Sequence, residues 1–409
     1  QNKIEMVSKS LNTFSSLAEK AECQYSLRDQ GALSVMSDVI QSVSGLGLLV
    51  PNEFGFIAAA GGMAVGSVLK ILDVMLKSKY NWKKYEKKLN SFSNYTTKVN
   101  GINIHFIKEK SNNLKSRPLL LLHGWPGSVI EFLDIIPKLA HPEKFGGKIE
   151  DGFDVIVPSL PGFGFSTPIK KAMGPREIGK VINKLMVKNL GYKKYAVQGG
   201  DWGATIAGWM GYDSSKNCKA IHINCLPLRH PKGSLNQKEK KWQIKFNKDQ
   251  ITEEGYRTQQ ATKPQTLSYA MVDSPVGTAA WILEKFHGWS DLKKGNIQST
   301  YSKDLLLTNI MIYILTKSFD TSTWIYFGRR KEGGRAFPKN FKKIMIPTAI
   351  AEFPKEMLGW PPRSYVNRIF NVKRWSKFSR GGHFAALENP DLLLNDIQTF
   401  LNKDLKLFI

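Results

Sequence analysis

The run Gly199-Gly200-Asp201-Trp202-Gly203 joins a segment with strand character, Tyr195-Ala196-Val197-Gln198, to one with helix character, Ala204 to Met210. A strand that turns sharply into a helix with glycines on both flanks is an elbow. Its central residue is held in strained backbone geometry, and the chain passes so close to its neighbours that side chains on the flanks would clash. Asp201 is thereby expected to stand above a sheet. A serine in that position attacks acyl groups after losing a proton, whereas a carboxylate is already anionic at neutral pH and can attack saturated carbon directly. The product would be an ester on the protein, formed from a substrate with a displaceable group on sp3 carbon, such as an epoxide oxygen or a halide. Glycine-flanked aspartates also occur in ordinary turns, so the reading needs support from other parts of the chain.

An elbow nucleophile needs an oxyanion hole. Pro118 to Leu122 reads as a buried parallel strand and runs straight into His123-Gly124-Trp125-Pro126-Gly127-Ser128. The backbone N–H of Trp125 could face the site there, joined by that of Trp202, which follows the nucleophile. A base is expected late in the chain. Of the seven histidines, His383 alone lies in a suitable place, after Gly381-Gly382 and before a final helix expected over Leu392 to Leu401. The orienting acid should follow a strand between the two, and Ile346 to Ala351 supplies one. Two carboxylates come after it, Glu352 and Glu356, and either could hold the imidazole and stabilise its cation. Residue chemistry alone does not choose between them.

These residues resemble a known family, the microsomal-type epoxide hydrolases, which include the juvenile hormone epoxide hydrolases of insects. The resemblance runs from about Leu69 to the C-terminus. It rests on Asn81-Trp82-Lys83-Lys84, Gly101 to Phe106, His123 to Gly127, Pro161-Gly162-Phe163-Gly164-Phe165-Ser166, Gly199 to Gly203, Asp273-Ser274-Pro275-Val276-Gly277 and Gly381 to Ala386, in that order. In the family the acid follows a Phe-Pro pair by two residues, which selects Glu356 after Phe353-Pro354-Lys355. Two phenols that hold and protonate the epoxide oxygen fall by the same resemblance on Tyr256 and Tyr326, among thirteen tyrosines. The resemblance implies a hydrolase of the cis-stilbene-oxide class acting on lipophilic epoxides, in detoxification or juvenile hormone catabolism. It implies no metal and no organic cofactor, and an endoplasmic reticulum membrane location with the catalytic part facing the cytosol. A haloalkane dehalogenase-like hydrolase and an inactive binding protein for hydrophobic ligands are the alternatives.

The pattern along the chain agrees with an α/β-hydrolase fold: a mostly parallel central sheet flanked by helices, with an inserted helical cap and an N-terminal extension. Strand and helix signals alternate from about 101 to 226. Residues 101–228 and 341–409 read as the two parts of the core, 229–340 as the cap, and 1–100 as a helical extension suited to a membrane interface. Within the cap, Trp281, Ile282, Phe286 and Trp289 are candidate pocket walls, Trp281 and Phe286 foremost as substrate-binding residues. The uncharged run Phe54 to Leu69 is shorter than the roughly 20 residues needed to span a bilayer. Cys23, Cys218 and Cys225 have neither metal-ligand spacing nor the look of a disulfide framework. Asn94-Tyr95-Thr96 matches a glycosylation triplet. A net charge of +25 suits a solvated surface with some attraction to anionic lipid headgroups. No nucleic-acid-binding signature accompanies it.

Overall fold

The structure, a computed structural model, describes residues 5–6 and 80–405. Its strands are β1 (Glu5–Met6), β2 (Asn94–Val99), β3 (Ile102–Glu109), β4 (Arg117–Leu122), β5 (Phe153–Pro158), β6 (Tyr195–Gly199), β7 (Cys218–Ile223), β8 (Ile344–Glu352) and β9 (Phe370–Lys377). They form one sheet in the order β1-β2-β3-β5-β4-β6-β7-β8-β9. The three pairings from β1 to β5 are antiparallel and every pairing from β5 to β9 is parallel. The longer helices are α1 (Trp82–Asn90), α2 (Pro175–Lys184), α3 (Asp201–Asp213), α4 (Gln237–Asp249), α5 (Glu254–Thr262), α6 (Pro264–Val272), α7 (Pro275–Trp289), α8 (Lys303–Leu315), α9 (Phe319–Lys331) and α10 (Pro390–Gln398).

The run of leucines in β4 shows why the central strands are apolar on every residue. The pleat sends Leu120 and Leu122 to one face, where they pack with Ile178 and Ile182 of α2 and Ile206 and Met210 of α3. Leu119 and Leu121 point the other way, against Val129, Ile136 and, from α10, Leu393 and Ile397. Helices therefore cover both faces, and a strand buried on two sides has no polar alternation to keep. This is the layered architecture expected from the sequence, and it brings the C-terminal ends of β4, β6 and β8 together at one edge.

Between β7 and β8 the chain forms the helices α4 to α9. Side-chain caps start three of them: Asn236 accepts from the Glu239 N–H, Ser274 from Gly277 and Ser302 from Leu305. The chain leaves and re-enters the core side by side, where Arg229 bridges Ala336.

Three expectations need correction. The N-terminal extension is not helical up to residue 100, because Asn94–Val99 is a strand of the sheet and Glu5–Met6 pairs with it. The Thr-rich, polar β2 hides its pairing because only Asn94, Thr97 and Val99 of its six residues are buried. The side-chain nitrogen of Asn94 cannot serve as a glycan acceptor in this fold, since it donates to the carbonyls of Leu89 and Phe92 and the residue is buried. The final helix starts at Pro390 rather than Leu392, the proline taking the first helical position where its missing N–H is no loss. The run Phe54 to Leu69 and Cys23 lie outside the described residues. Among the described residues no helix is long and apolar enough to cross a membrane.

Candidate active site

At the end of β6 the chain turns through Gly200, in extended conformation, into Asp201, whose φ of 47° lies in the left-handed region. That geometry costs about 1 kcal/mol for a residue with a side chain. The flanking glycines make it possible. A Cβ on Gly199 would run into the backbone of Gly203, and one on Gly203 into the Leu122 carbonyl of β4. A Cβ on Gly124 would meet the Asp201 carboxylate itself, so the loop after β4 touches Asp201 directly. The Asp201 N–H donates to Sγ of Cys225 at 3.0 Å, which ties the elbow to the end of β7.

The two carboxylate oxygens of Asp201 have different partners. Oδ1 accepts from the Trp125 N–H at 2.8 Å, while Oδ2 lies 3.5 Å from Nε2 of His383. The other ring nitrogen of His383, Nδ1, is 2.9 and 3.1 Å from the two oxygens of Glu356. Glu356 is fixed in turn by the Leu358 N–H, and His383 by its own N–H, which donates to the Trp289 carbonyl. Burial alone would lower the His383 pKa, but the carboxylates of Glu356 and Asp201 outweigh it and raise it well above the usual histidine value. Glu352 goes elsewhere: it accepts from the Trp375 indole at 2.6 Å. The geometry thus separates the two acids that the residues alone left open. His105, His123 and His222 are held by neighbouring groups of the core, and burial drops the pKa of His105 to about 3 and of His123 to about 4.

Trp202 is the second residue of α3, so its N–H has no acceptor within the helix. Tyr256 of α5 and Tyr326 of α9 stand over the elbow in an aromatic cluster. Tyr256 stacks on Trp125 with centroids 5.6 Å apart, Tyr326 meets Trp202 edge-on at 4.6 Å, and the two phenol rings are 5.9 Å apart. Burial first, and then neighbouring negative charge including Asp201, raise both phenol pKa values, so both rings keep their protons. Trp289 completes the cluster, 5.1 Å from the His383 ring and 5.3 Å from Tyr256. Trp281 and Phe286, the two of the other three candidate walls expected foremost to bind substrate, have other partners. Trp281 sends its indole N–H to Gln260, and Phe286 stacks on Phe384 at 4.1 Å, one ring behind His383.

The chain matches two family models, "Epoxide hydrolase N terminus" over residues 51–132 and "alpha/beta hydrolase fold" over residues 117–273. It is 37% identical over 352 residues to epoxide hydrolase 1 of Sus scrofa, covering 80% of this chain and 77% of the relative. To juvenile hormone epoxide hydrolase 1 of Ctenocephalides felis it is 34% identical over 367 residues, covering 84% and 78%. The chain belongs to the epoxide hydrolase family. The same holds in three dimensions: the Aspergillus niger epoxide hydrolase superposes with a TM-score of 0.72 at 29% identity, over 90% of this chain and 94% of that one. The Bombyx mori juvenile hormone epoxide hydrolase gives 0.71 at 28% identity, over 84% and 85%.

This epoxide hydrolase also holds groups that the sequence did not single out. Glu131 sits behind Asp201, so close to the loop that a Cβ on Gly127 would collide with its carboxylate. Together with Gln198, Asp201, Asn224 and His383 it lines a recess of about 10 Å³, room for the centre of one water. Burial, opposed by His383 and reinforced by Asp201, pushes its pKa up to about 8. Glu131 is therefore neutral at pH 7, and Asp201 is spared a second negative charge beside it. The one sequence signal is a carboxylate inside the apolar run Val129-Ile130-Glu131-Phe132. An acid whose folded pKa exceeds its unfolded value contributes most stability below pH 4.5 and loses it as pH rises through about 8. In Glu131→Gln the midpoint of thermal unfolding is expected to fall less between pH 5 and 9 than in the parent. Identical pH slopes in differential scanning calorimetry would contradict the buried-acid assignment. Among the described residues no cluster of His, Cys, Asp and Glu could hold a metal ion.

Proposed function

We propose that this epoxide hydrolase converts lipophilic epoxides to vicinal diols through an ester on Asp201. The observation that carries the proposal is the division of labour at that carboxylate: Trp125 holds one oxygen and His383, backed by Glu356, faces the other. With Oδ1 held as the future carbonyl oxygen, Oδ2 attacks an epoxide carbon from the side opposite its C–O bond. That bond breaks, and the oxygen takes a proton from Tyr256 or Tyr326, whose pKa values are raised yet which stand close enough to the elbow to donate.

Ester formation removes the charge of Asp201, one of the two carboxylates that hold the His383 proton. The pKa of His383 falls, the ring releases its proton to solvent, to be taken back once Asp201 is again anionic, and the neutral ring becomes available as a base. Water gives a proton to Nε2 and adds to the ester carbonyl carbon. The oxyanion faces the N–H groups of Trp125 and Trp202. Collapse breaks the C–Oδ2 bond, the departing alkoxide takes the proton from His383, and the acid proton left on Asp201 restores the phenol through solvent. The names of the relatives, together with the resemblance to the microsomal type, support substrates of the xenobiotic or juvenile hormone kind. That resemblance and the excess of cations also support action at the endoplasmic reticulum membrane.

A single turnover in H2(18)O with protein in excess over epoxide tests the ester directly. The first diol should carry no label, and the peptide containing Asp201 should gain one (18)O, because the diol leaves with an aspartate oxygen. Label in the first diol would mean that water attacks the ring itself.

A further inference from the structure

We propose that Arg229, Arg257, Arg329 and Arg335 form a subsite for a carboxylate carried by the epoxide substrate, so that the preferred substrates are epoxy acids. The proposal rests on the hydrolase reading above and names the substrate class of that same site. Two of the four come from the paired segments that join α4–α9 to the core, where the Arg229 N–H donates to the Arg335 carbonyl at 2.9 Å. The other two accompany the tyrosines. Arg257 follows Tyr256 on α5, and Arg329 lies one helical turn after Tyr326 on α9.

Their surroundings are aromatic. The Arg329 guanidinium is 4.7 Å from the Trp202 ring centre and 5.9 Å from that of Tyr326, which places it beside the nucleophile's own neighbour. Arg229 lies 4.6 Å from the Phe246 ring and 5.2 Å from Trp242, and Arg335 is 6.0 Å from Phe246. Ring faces attract the cations but give their N–H donors few acceptors. Arg229 Nη1 finds the carbonyls of Leu226 and Leu228 and Arg257 finds Gln250, yet Nη2 of Arg229 has no partner among the described residues.

Elsewhere three partly buried arginines have carboxylates, Arg176 with Asp213, Arg368 with Glu239 and Arg374 with Asp396, while Arg117 is held by the Leu401 carbonyl and the Asn402 side chain. None of the four has one within 4 Å among the described residues. Burial and then repulsion from the neighbouring arginines depress Arg335 far below the ordinary arginine value, while burial lowers Arg329 and takes Arg229 down to about 10. Converging unpaired cations in an apolar setting destabilises a fold unless an anion offsets it. The anion must be one that visits the active site, because Arg329 touches Trp202. A guanidinium takes a carboxylate with two parallel hydrogen bonds, and the rings of Trp242 and Phe246 suit an apolar chain behind the head group. The cluster would also offset the repulsion between an anionic substrate and Asp201.

The test compares 9,10-epoxystearic acid with its methyl ester, two substrates that share the epoxide and differ in the charge. The acid should have a kcat/KM at least about ten-fold higher, in line with one charge-assisted pair. Arg335→Met should cut that ratio several-fold, and Arg335→Lys should restore part of it. Lys144→Met removes the same charge at an exposed site of the core and should leave the ratio in place, which separates the cluster from the general excess of positive charge. Equal kcat/KM for acid and ester, or a ratio that Lys144→Met lowers as much as Arg335→Met does, would overturn the subsite while the hydrolase reading stands. Hydrolysis of neither compound would overturn that reading and the subsite with it.

Discussion

His383→Gln is expected to lower steady-state turnover on the order of 1,000-fold while leaving a substrate-derived ester trapped on Asp201. The two steps ask different things of the site. Ring opening needs the Asp201 carboxylate, already anionic, and donors for the leaving oxygen, none of which is the imidazole. Ester hydrolysis needs a base within reach of the carbonyl, and His383 is the group held there, 3.5 Å from Asp201 and backed by Glu356. Glutamine keeps a hydrogen-bond donor for the buried Glu356, so the substitution removes basicity without leaving that carboxylate unpaired. Peptide mass spectrometry after brief exposure to a lipophilic epoxide should show the mass of the intact substrate added to the peptide containing Asp201. A variant that is inactive but carries no adduct would show that His383 is needed before the ester forms, and the assigned order of events would be wrong.

The elbow was readable because its constraints are local. Gly199 and Gly203 are dictated by backbone contacts within the turn and with β4, and the strand before it is buried on two faces. The choice of acid was not readable from residue types, since Glu352 and Glu356 are four residues apart after one strand. Glu352 ends β8 and turns to the Trp375 indole of β9, while the loop beyond it carries Glu356 across to His383. A decision made by loop direction leaves no trace in composition.

The neighbours of Trp281 were hidden for a different reason. Ile282, Phe286 and Trp289 share one buried stripe of α7 at spacings of four and three residues. Trp281 is rotated about 100° from Ile282, and so faces Gln260 of α5 instead. Size and hydrophobicity suggested a pocket wall, but helical phase decided the neighbour. Phe286 has the right phase and is still held back by Phe384, which the sequence around His383 gave no means of foreseeing. Tyr256 and Tyr326 lie on separate helices about seventy residues apart, and nothing but tertiary packing, or a family pattern that records it, brings their rings to 5.9 Å.

That convergence makes the paired change of Tyr256 and Tyr326 to Phe the sharpest probe of ring opening. Each phenol is buried against the elbow and kept protonated, so each is a donor fixed before the substrate arrives, with little reorganisation left to do when charge develops on the departing oxygen. Losing one donor leaves the other to act, which predicts a modest loss for each single variant and a loss on the order of 1,000-fold for the pair. Phenylalanine preserves the ring contacts with Trp125 and Trp202, so packing should survive, and circular dichroism melts can confirm it. Rapid-mixing single-turnover measurements would follow loss of epoxide and release of diol separately. The pair should slow the first and leave the second close to that of the parent, because the proposed mechanism breaks the ester with His383 and the N–H groups of Trp125 and Trp202. If the diol-forming step slows instead, the phenols belong to the hydrolytic half of the reaction, and the epoxide oxygen must be met by another donor.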